Sequence, residues 1–257
     1  MSEQTLITLE GVEKRFARGG DVAAVEDFSF SVDRGELIAL IGPSGCGKST
    51  VLNIIAGLVS ASDGHVEVAD PALRIAYVFQ RPRLLPWRSV LRNVEFGLES
   101  RDKDREAVRG RAREALALVN LEGQEDKYPH ELSGGMQQRV ALARGLAIDP
   151  GLFLLDEPFG ALDALTRSYL QEELLGIVRE TGTTTLLVTH DIDEALILAD
   201  RVLVMSSRPG TLKATINVPF GADRSIDYLV ADSRYAEIRT QLHQLLRPEV
   251  GSVAEAG

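Results

Sequence analysis

The sequence has a single cysteine among its 257 residues, so no disulfide can form within the chain. It has no internal repeat, no low-complexity segment and no apolar run near the roughly 18 residues that a membrane-spanning helix needs. Residues 1–5 show neither the positive charge nor the apolar stretch of a secretory signal peptide. The cysteine count leaves the redox compartment open, and the lack of a membrane segment and of a signal peptide makes a cytosolic protein the default expectation.

Positively charged residues are fewer than negatively charged ones. Lysine and arginine number 28 against 38 aspartates and glutamates, a formal net charge of −10. That balance argues against a broad electrostatic surface for nucleic acid or anionic lipid, although it does not exclude a local basic patch. Hydrophobic residues make up 44% and charged residues 26%, which is typical of a soluble globular protein of one large domain or two small ones.

A glycine-rich stretch matches the phosphate-binding loop pattern in full. An apolar run at 37–41 predicts a strand before it, and helix-compatible spacing at 51–56 predicts a helix after it. A chance match in a chain of this length has odds on the order of one in a hundred, so the sequence predicts nucleotide binding. The residues of the loop are Gly42, Pro43, Ser44, Gly45, Cys46, Gly47, Lys48, Ser49 and Thr50.

The chemistry of this loop follows from its residue types. Glycines let the backbone curl so that amide groups point at phosphate oxygens, and the helix start adds its positive dipole end. Lys48 can reach the β- and γ-phosphates and the Ser49 hydroxyl can bind Mg²⁺. Cys46 lies inside the loop, where a helix N-terminus is expected to favour its thiolate.

Two further residues stand where a nucleotide could reach them. Phe16 lies at the end of a predicted strand at 5–16 and can either stack on an adenine ring or lie buried as a loop aromatic. A second predicted strand at 22–34 completes a two-stranded antiparallel unit. Gln80 ends the predicted strand 75–79, at the edge where open α/β sheets bind ligands, although such a residue taken alone is more often a surface loop residue.

Residues 83–145 show helical patterns and no strand signal, which predicts a helical insertion. Trp87 follows a proline break and either lines a docking groove for a partner helix or belongs to the core. Ser133 is a suitable N-cap for a strong helix over 134–147. The glycines beside it make that helix start a second potential anion site, the alternative being an ordinary cap.

Acidic side chains follow the buried strand 152–155. Asp156 and Glu157 are either exposed loop acids or part of a Mg²⁺ site, and the loop upstream favours the metal. Ala161, Leu162 and Asp163 form a turn into the helix 164–180. His190 ends a further strand at 184–189, and helices are predicted near 225–231 and 233–246.

This set resembles the ATP-binding subunits of ABC transporters, with the motifs in that family's order. The discriminating element is the Leu-Ser-Gly-Gly signature, because other phosphate-loop ATPases lack it. The signature residues are Leu132, Ser133, Gly134, Gly135, Met136 and Gln137. Leu84-Leu85-Pro86-Trp87 after Phe79-Gln80, and the later run from Met205 to Gly210, resemble the nitrate, sulfonate and taurine importer branch.

The resemblance implies a role for each motif. Lys48 and Ser49 hold phosphate and Mg²⁺, Gln80 senses the metal and the attacking water, and Asp156 supports Mg²⁺ through water. Glu157 is the general base and His190 contacts the γ-phosphate, while the signature binds ATP on the other protomer. Phe16 stacks on the adenine, although the family often has tyrosine there, and Ala161, Leu162 and Asp163 form the loop at the dimer interface.

The resemblance also implies partners and architecture. The active unit is a two-fold homodimer with two sandwiched ATP molecules, bound to permease subunits at the cytoplasmic face of the membrane and served indirectly by a solute-binding protein. The fold is an α/β phosphate-loop core with a mainly parallel sheet and an antiparallel β edge. The expected divisions are a core at 1–82 and 146–215, a helical subdomain at 83–145 and a helical tail at 216–257.

Two other functions fit the motifs less well. A soluble ATPase of the same superfamily acting on DNA or ribosomes usually has coiled-coil insertions or two cassettes, and this chain shows one cassette, no long heptad run and an acidic balance. An inactive binding module is disfavoured because Lys48, Asp156, Glu157 and His190 are all present. The sequence does not name the solute.

Overall fold

The structure, a computed structural model, describes residues 4–16, 23–99, 103–160, 162–221, 224 and 226–247. Strands and helices alternate through most of this part of the chain. The strands are β1 Thr5–Arg15, β2 Ala23–Asp33, β3 Leu37–Ile41, β4 Asp63–Val68, β5 Ile75–Val78, β6 Leu152–Asp156, β7 Thr184–Thr189, β8 Arg201–Met205 and β9 Leu212–Asn217. The helices are α1 Lys48–Ile55, α2 Val90–Glu95, α3 Arg105–Leu118, α4 Gly134–Leu146, α5 Ala164–Thr181, α6 Ile192–Leu198, α7 Ile226–Ala231 and α8 Ser233–Leu246.

Two sheets organise these strands. One has six strands in the order β5-β6-β7-β3-β8-β9 and the other has three in the order β2-β1-β4. β4 therefore extends the antiparallel edge beyond the two strands that the sequence predicted. The α/β fold with a mixed, mostly parallel sheet, an antiparallel sheet and helices is the fold class expected from the sequence.

The chain divides into two compact units. The first comprises Met1–Thr8, Ser31–Ile38 and Glu67–Val188. In it β5, β6 and β7 pair in parallel, with Val78 opposite Leu155 and Asp156 opposite Val188. These strands are apolar almost throughout because they are buried, and their carboxyl ends meet at one edge of the sheet.

The helical segment of the first unit has its own core. Helices α2, α3 and α4 pack on one another through fully buried side chains such as Val94, Leu116 and Val140. α4 also packs on β5. Gly145 lets this helix lie close to the sheet, because a Cβ there would lie 2.7 Å from the Phe153 ring of β6 and 3.5 Å from Ala76 Cβ of β5. No strand lies among the described residues of 83–145, as the sequence predicted.

Trp87 lies in this segment and its side chain is 72% exposed. The alternative that it is an ordinary core residue is therefore wrong. With Arg88, Tyr128 and neighbouring polar residues it lines an open cavity of about 610 Å³.

The second unit comprises Leu9–Phe30, Ala39–Val66 and Thr189–Gly257. In it β8 pairs with the antiparallel strand β9, which the sequence analysis missed. β9 is hard to recognise because its side chains alternate between half-buried and exposed, with none buried, so its apolar signal is weak. The predicted core boundary at residue 215 falls inside this strand.

Helices α6, α7 and α8 close the described part of the second unit. α8 packs against α6, α7 and β8, and its side chains Tyr235 and Leu242 are buried. Among the described residues, none of the helices combines the length and the apolar character needed to cross a membrane.

Candidate active site

The phosphate loop lies in the second unit and leads from β3 into α1, the strand, loop and helix context that the sequence predicted. Gly47 is the N-cap of α1 with a φ of 110°, a value that L side chains rarely adopt. A Cβ at Gly47 would lie 2.7 Å from the Ala24 carbonyl oxygen, and one at Gly42 would lie 2.9 Å from Cys46 Sγ. Packing therefore favours glycine at both positions, and at Gly47 the backbone conformation favours it as well.

Lys48 is buried, and its ammonium group bonds to the loop itself. Its Nζ donates to the carbonyl oxygens of Gly42 at 2.8 Å and Pro43 at 3.0 Å. A buried ammonium needs such partners, and phosphate oxygens can replace them when a nucleotide binds. Ser44, Gly45 and Ser49 are exposed, and Thr50 is half-buried.

The Cys46 side chain is 1% exposed. Burial raises the pKa of its thiol, and the nearby Lys48 charge and backbone hydrogen bonds do not compensate. The expectation that the helix start favours the thiolate is therefore wrong, because desolvation penalises the charged form more than these groups stabilise it.

Gln80 and Glu157 meet in the first unit. Gln80 follows β5 and Glu157 follows β6, and Gln80 Nε2 donates to Glu157 Oε2 at 3.0 Å. The Glu157 backbone is held as well, since its N–H donates to the Val188 carbonyl at 2.9 Å and its φ is 46°. A non-glycine residue with positive φ is uncommon and marks a position that the surrounding structure fixes.

Asp156 has a partner that the sequence analysis missed. The Tyr77 hydroxyl donates to Asp156 Oδ2 at 3.2 Å, and the Tyr77 ring stacks on Phe79. Burial, and then the Asp156 charge, raise the pKa of the Tyr77 hydroxyl well above its ordinary value, so it remains a donor. The sequence feature that could have indicated this contact is a tyrosine near the carboxyl end of a core strand.

The signature residues form the start of α4. Ser133 Oγ accepts from the Met136 N–H at 3.3 Å as the N-cap, while Gln137 Nε2 donates to the carbonyl oxygens of Pro129 and Leu132. Leu132 is buried and Gly134 is exposed. A Cβ on Gly135 would lie 2.8 Å from Thr166 Cγ2, whereas one on Gly134 would meet nothing within 4 Å.

Arg144, near the end of α4, is a second residue that the sequence analysis missed. Its guanidinium donates to the carbonyl oxygens of Pro82 and Arg83 at 2.9 and 3.0 Å and fixes the backbone just after Gln80. Burial lowers the pKa of this guanidinium. The sequence feature that could have indicated this contact is an arginine within the otherwise small and apolar run at 140–146 of α4.

The turn into α5 is partly described. The Leu162 N–H donates to the Phe159 carbonyl at 3.1 Å, and Asp163 Oδ1 accepts from the Thr166 N–H at 3.0 Å as the N-cap. Hydrogen bonds from Thr166 hold the pKa of the Asp163 carboxyl below its usual value. Ala161, the third residue predicted for this loop, lies outside the described residues.

His190 lies in the second unit, between β7 and α6, and is exposed. The residues on either side are fixed, because the Asp191 N–H donates to Thr189 Oγ1 at 3.0 Å. Phe16 lies in the same unit. Its ring is 42% exposed with Lys14 Nζ 5.1 Å from its centroid, so the alternative of a buried loop aromatic is wrong.

Comparison with known proteins gives one family. The ABC transporter family profile matches residues 25–160. A solved dimeric ATP-binding cassette, MJ0796 in a post-hydrolysis state with ADP and Pi, superposes with a TM-score of 0.75 at 32% identity, covering 84% of this chain and 100% of that one.

Three relatives carry importer names. A nitrate import ATP-binding protein of Synechococcus elongatus is 46% identical over 90% of this chain, which spans 36% of that longer protein. An aliphatic sulfonates import ATP-binding protein of Bacillus cereus is 42% identical over 93% of this chain and 94% of its own length. A taurine import ATP-binding protein of Yersinia pestis is 48% identical over 77% of this chain and 80% of its own length. The chain therefore belongs to the ABC transporter family of ATP-binding proteins, and binds and hydrolyses ATP.

Proposed function

We propose that this chain is the ATP-hydrolysing subunit of an importer, working as a homodimer on a membrane permease. The hydrogen bond from Gln80 to the Glu157 carboxylate carries the proposal, because it orients a carboxylate at the end of a core strand, as a catalytic base requires. The complete phosphate loop of the same chain supplies the nucleotide-binding function.

The nucleotide is bound by the phosphate loop. Its amides and Lys48 hold the phosphates, and Phe16 stacks on the adenine. Serine hydroxyl, amide and carboxylate oxygens are donors that suit Mg²⁺, so Ser49, Gln80 and Asp156 are the proposed residues for that ion. When bound, Mg²⁺ neutralises phosphate charge.

Hydrolysis uses a different set of side chains. Glu157 polarises the attacking water as general base, and Gln80 keeps the carboxylate of Glu157 oriented. His190 contacts the γ-phosphate. Because phosphoryl transfer depends mostly on positioning and charge stabilisation, the fixed backbone of Glu157 contributes to this role.

The second half of each ATP site comes from the partner protomer. The N-terminus of α4 offers the Ser133 hydroxyl and backbone amides of the first helical turn to an anion. The turn before α5 lies at the two-fold interface. The proposed in-trans set is Leu132, Ser133, Gly134, Gly135, Met136 and Gln137, and the interface turn is Ala161, Leu162 and Asp163. The dimeric state of the MJ0796 cassette supports this arrangement.

The transported solute is proposed to be nitrate, a sulfonate, taurine or a related small molecule, since relatives of this chain bear these names. The subunit would lie at the cytoplasmic face of the membrane, bound peripherally to the permease, with a solute-binding protein acting indirectly. The proposed divisions are the ATP-binding core at 1–82 and 146–215, the helical subdomain at 83–145 that meets the permease, and the tail at 216–257.

Glu157→Gln tests the proposal, because it keeps the size of the side chain and removes its charge. A general base typically contributes about 10²–10⁴-fold in rate, or about 3–5 kcal/mol of barrier. Phosphate release should fall by that order, and gel filtration with Mg-ATP should show a trapped dimer.

Lys48→Ala is the matched comparison, since it should lose ATP binding and the dimer together. A Glu157→Gln protein that hydrolyses ATP at the normal rate would refute the assignment of the base. One that stays monomeric at saturating ATP would refute the sandwich dimer.

A further inference from the structure

Helix α6 begins two residues after His190 and lies against the C-terminal helix α8. The carboxylate of Asp193, in the first turn of α6, joins the two helices. The role proposed for His190 does not account for this link, and neither the sequence motifs nor the phosphate loop explain why a tail helix should be tied to this segment.

The backbone around His190 is fixed to the first turn of α6. Thr189 Oγ1 accepts from the Asp191 N–H at 3.0 Å and donates to Glu194 Oε2 at 2.5 Å. Asp191 Oδ1 accepts from the N–H groups of Asp193 and Glu194 as the N-cap. Because both neighbours of His190 bond to this turn, a shift of α6 moves His190 with it.

Asp193 in turn is held by α8 from two directions. The Tyr235 hydroxyl donates to Asp193 Oδ1 at 2.6 Å. Arg239 donates from Nε to Oδ1 at 2.7 Å and from its terminal nitrogen to Oδ2 at 3.3 Å. A bidentate arginine–carboxylate pair fixes orientation as well as distance, so this contact can set the position of the start of α6. We refer to Asp193, Tyr235 and Arg239 as the α6–α8 latch.

Helix α8 is itself anchored. Leu242 is fully buried, and Tyr235 is 7% exposed although its hydroxyl reaches Asp193. The Tyr235 ring lies 6.4 Å from the ring of Phe220. A helix held by buried side chains provides a stable support for the arginine and tyrosine that it directs at α6.

The charges of the latch agree with this geometry. Partial burial works to raise the pKa of the Asp193 carboxyl, but the hydrogen bonds from Arg239 and Tyr235, with the Arg239 and His243 charges, outweigh it and leave the pKa below its usual value. The same carboxylate raises the pKa of Arg239. The pair therefore stays ionised at neutral pH.

We propose that Asp193 is a positioning residue for ATP hydrolysis, held by Tyr235 and Arg239 so that α6 presents His190 in its working position. The inference rests on the role proposed for His190. It gives the C-terminal helix a function in catalysis, exerted through the latch.

Arg239→Ala and Tyr235→Phe in the full chain test the latch. Misplacement of a group by about 1 Å can cost up to about 10²-fold in rate, and we expect kcat for ATP to fall on the order of tenfold in Arg239→Ala. KM for ATP should stay within about twofold, because the phosphate loop is untouched. Arg239→Lys, which keeps the charge but not the fork, should recover part of the loss.

Arg234→Ala is the matched control. It also removes an arginine from α8, but Arg234 pairs with Asp232 at the start of its own helix, so kcat should not change. Should Arg239→Ala fail to fold, Tyr235→Phe carries the test, since it removes a single oxygen atom and keeps the buried ring.

The decisive comparison repeats the latch variants in a His190→Ala background. If the latch acts through His190, its removal there should cause no further loss of kcat, the non-additivity expected of coupled residues. An equal loss in both backgrounds would mean that the latch supports the fold alone and would overturn the inference. A normal rate in Arg239→Ala with a reduced rate in His190→Ala would also overturn it. A normal rate in His190→Ala would instead refute the role proposed for His190.

Discussion

The amide of Gln80 donates to the carboxylate of Glu157 over 3.0 Å, joining the ends of β5 and β6 across 77 residues of sequence. The contact exists because the two strands run parallel with Val78 opposite Leu155, so the residues that follow them leave the sheet at the same edge. This hydrogen bond fixes the orientation of the Glu157 carboxylate.

Replacing Gln80 with alanine should therefore slow hydrolysis. A hydrogen bond to a charged group contributes about 1.5–3 kcal/mol, and loss of the lower value from the transition state corresponds to about tenfold in rate. Phosphate release at saturating ATP is the measurement. Arg81→Ala, a change at the exposed neighbouring residue, should have the wild-type rate, and equal rates for the two variants would count against a role for this hydrogen bond.

Cys46 should be slow to react with thiol reagents in the folded protein. Its raised pKa leaves less thiolate at a given pH, and its side chain is almost fully buried; reactivity depends on both thiolate fraction and access. Dithionitrobenzoate absorbance, with and without guanidinium chloride, measures the difference. Because Cys46 is the single cysteine of the chain, Cys46→Ala should give no signal, and rapid stoichiometric reaction without denaturant would show that the thiol is accessible.

The two signature glycines should respond differently to alanine. Gly134→Ala enters open space and should be neutral or stabilising, since alanine is favoured over glycine in helices by up to about 1 kcal/mol. Gly135→Ala places a Cβ 2.8 Å from Thr166 Cγ2 and should destabilise by about 1–3 kcal/mol, the cost of overpacking. Denaturant midpoints of the two variants measure the effect.

The steric clash expected in Gly135→Ala can be relieved by a second substitution, at Thr166. Thr166→Ser removes the methyl group that the new Cβ would meet, so the double variant should regain most of the stability lost in Gly135→Ala. Absence of any recovery would mean that the cost arises elsewhere, for example in the backbone at the start of α4.

Trp87 should matter for coupling and not for folding. Substitution of a side chain that is 72% exposed usually changes stability by less than about 0.5 kcal/mol, so Trp87→Ala should keep its unfolding midpoint and basal ATPase rate. If Trp87 lines the groove that receives a short helix of the permease, solute uptake by the assembled transporter should fall, because an exposed aromatic anchor is lost. Phe153→Ala is the comparison for a buried aromatic side chain: Phe153 lies in strand β6, and its loss should lower the free energy of unfolding by about 3–5 kcal/mol. A stable Trp87→Ala protein with normal uptake would exclude the docking role.

Local patterns were sufficient for most of the secondary structure. The glycine loop at 42–50, the alternation at 22–34 and the helical stripe at 134–147 each depend on hydrogen bonds and side-chain spacing within a few residues. The observed elements β2 Ala23–Asp33 and α4 Gly134–Leu146 agree with these predictions to within one residue at each end. β9 was missed because half-buried alternation in a short strand gives too weak a signal. The family was also recognisable from the motifs alone.

Long-range pairs were not predictable in this way. The residues near Tyr77 in the sequence do not indicate that Asp156 is its partner. Those near Arg144 do not indicate that it bonds to the carbonyl oxygens of Pro82 and Arg83. The same limit applied to Cys46. Its position at a helix start suggested a favoured thiolate, but the fold buries the side chain, and desolvation raises the pKa of the thiol.

The sequence by itself determined that this chain has a phosphate loop, a signature helix and an α/β fold. Each of these features depends on the types and spacing of residues that are contiguous in the chain. Only the tertiary structure decided that Gln80 holds Glu157, that Trp87 is exposed and that Asp193 is tied to Arg239. Those relationships depend on strand register and helix packing, which bring together residues far apart in the chain and set how much water each side chain retains.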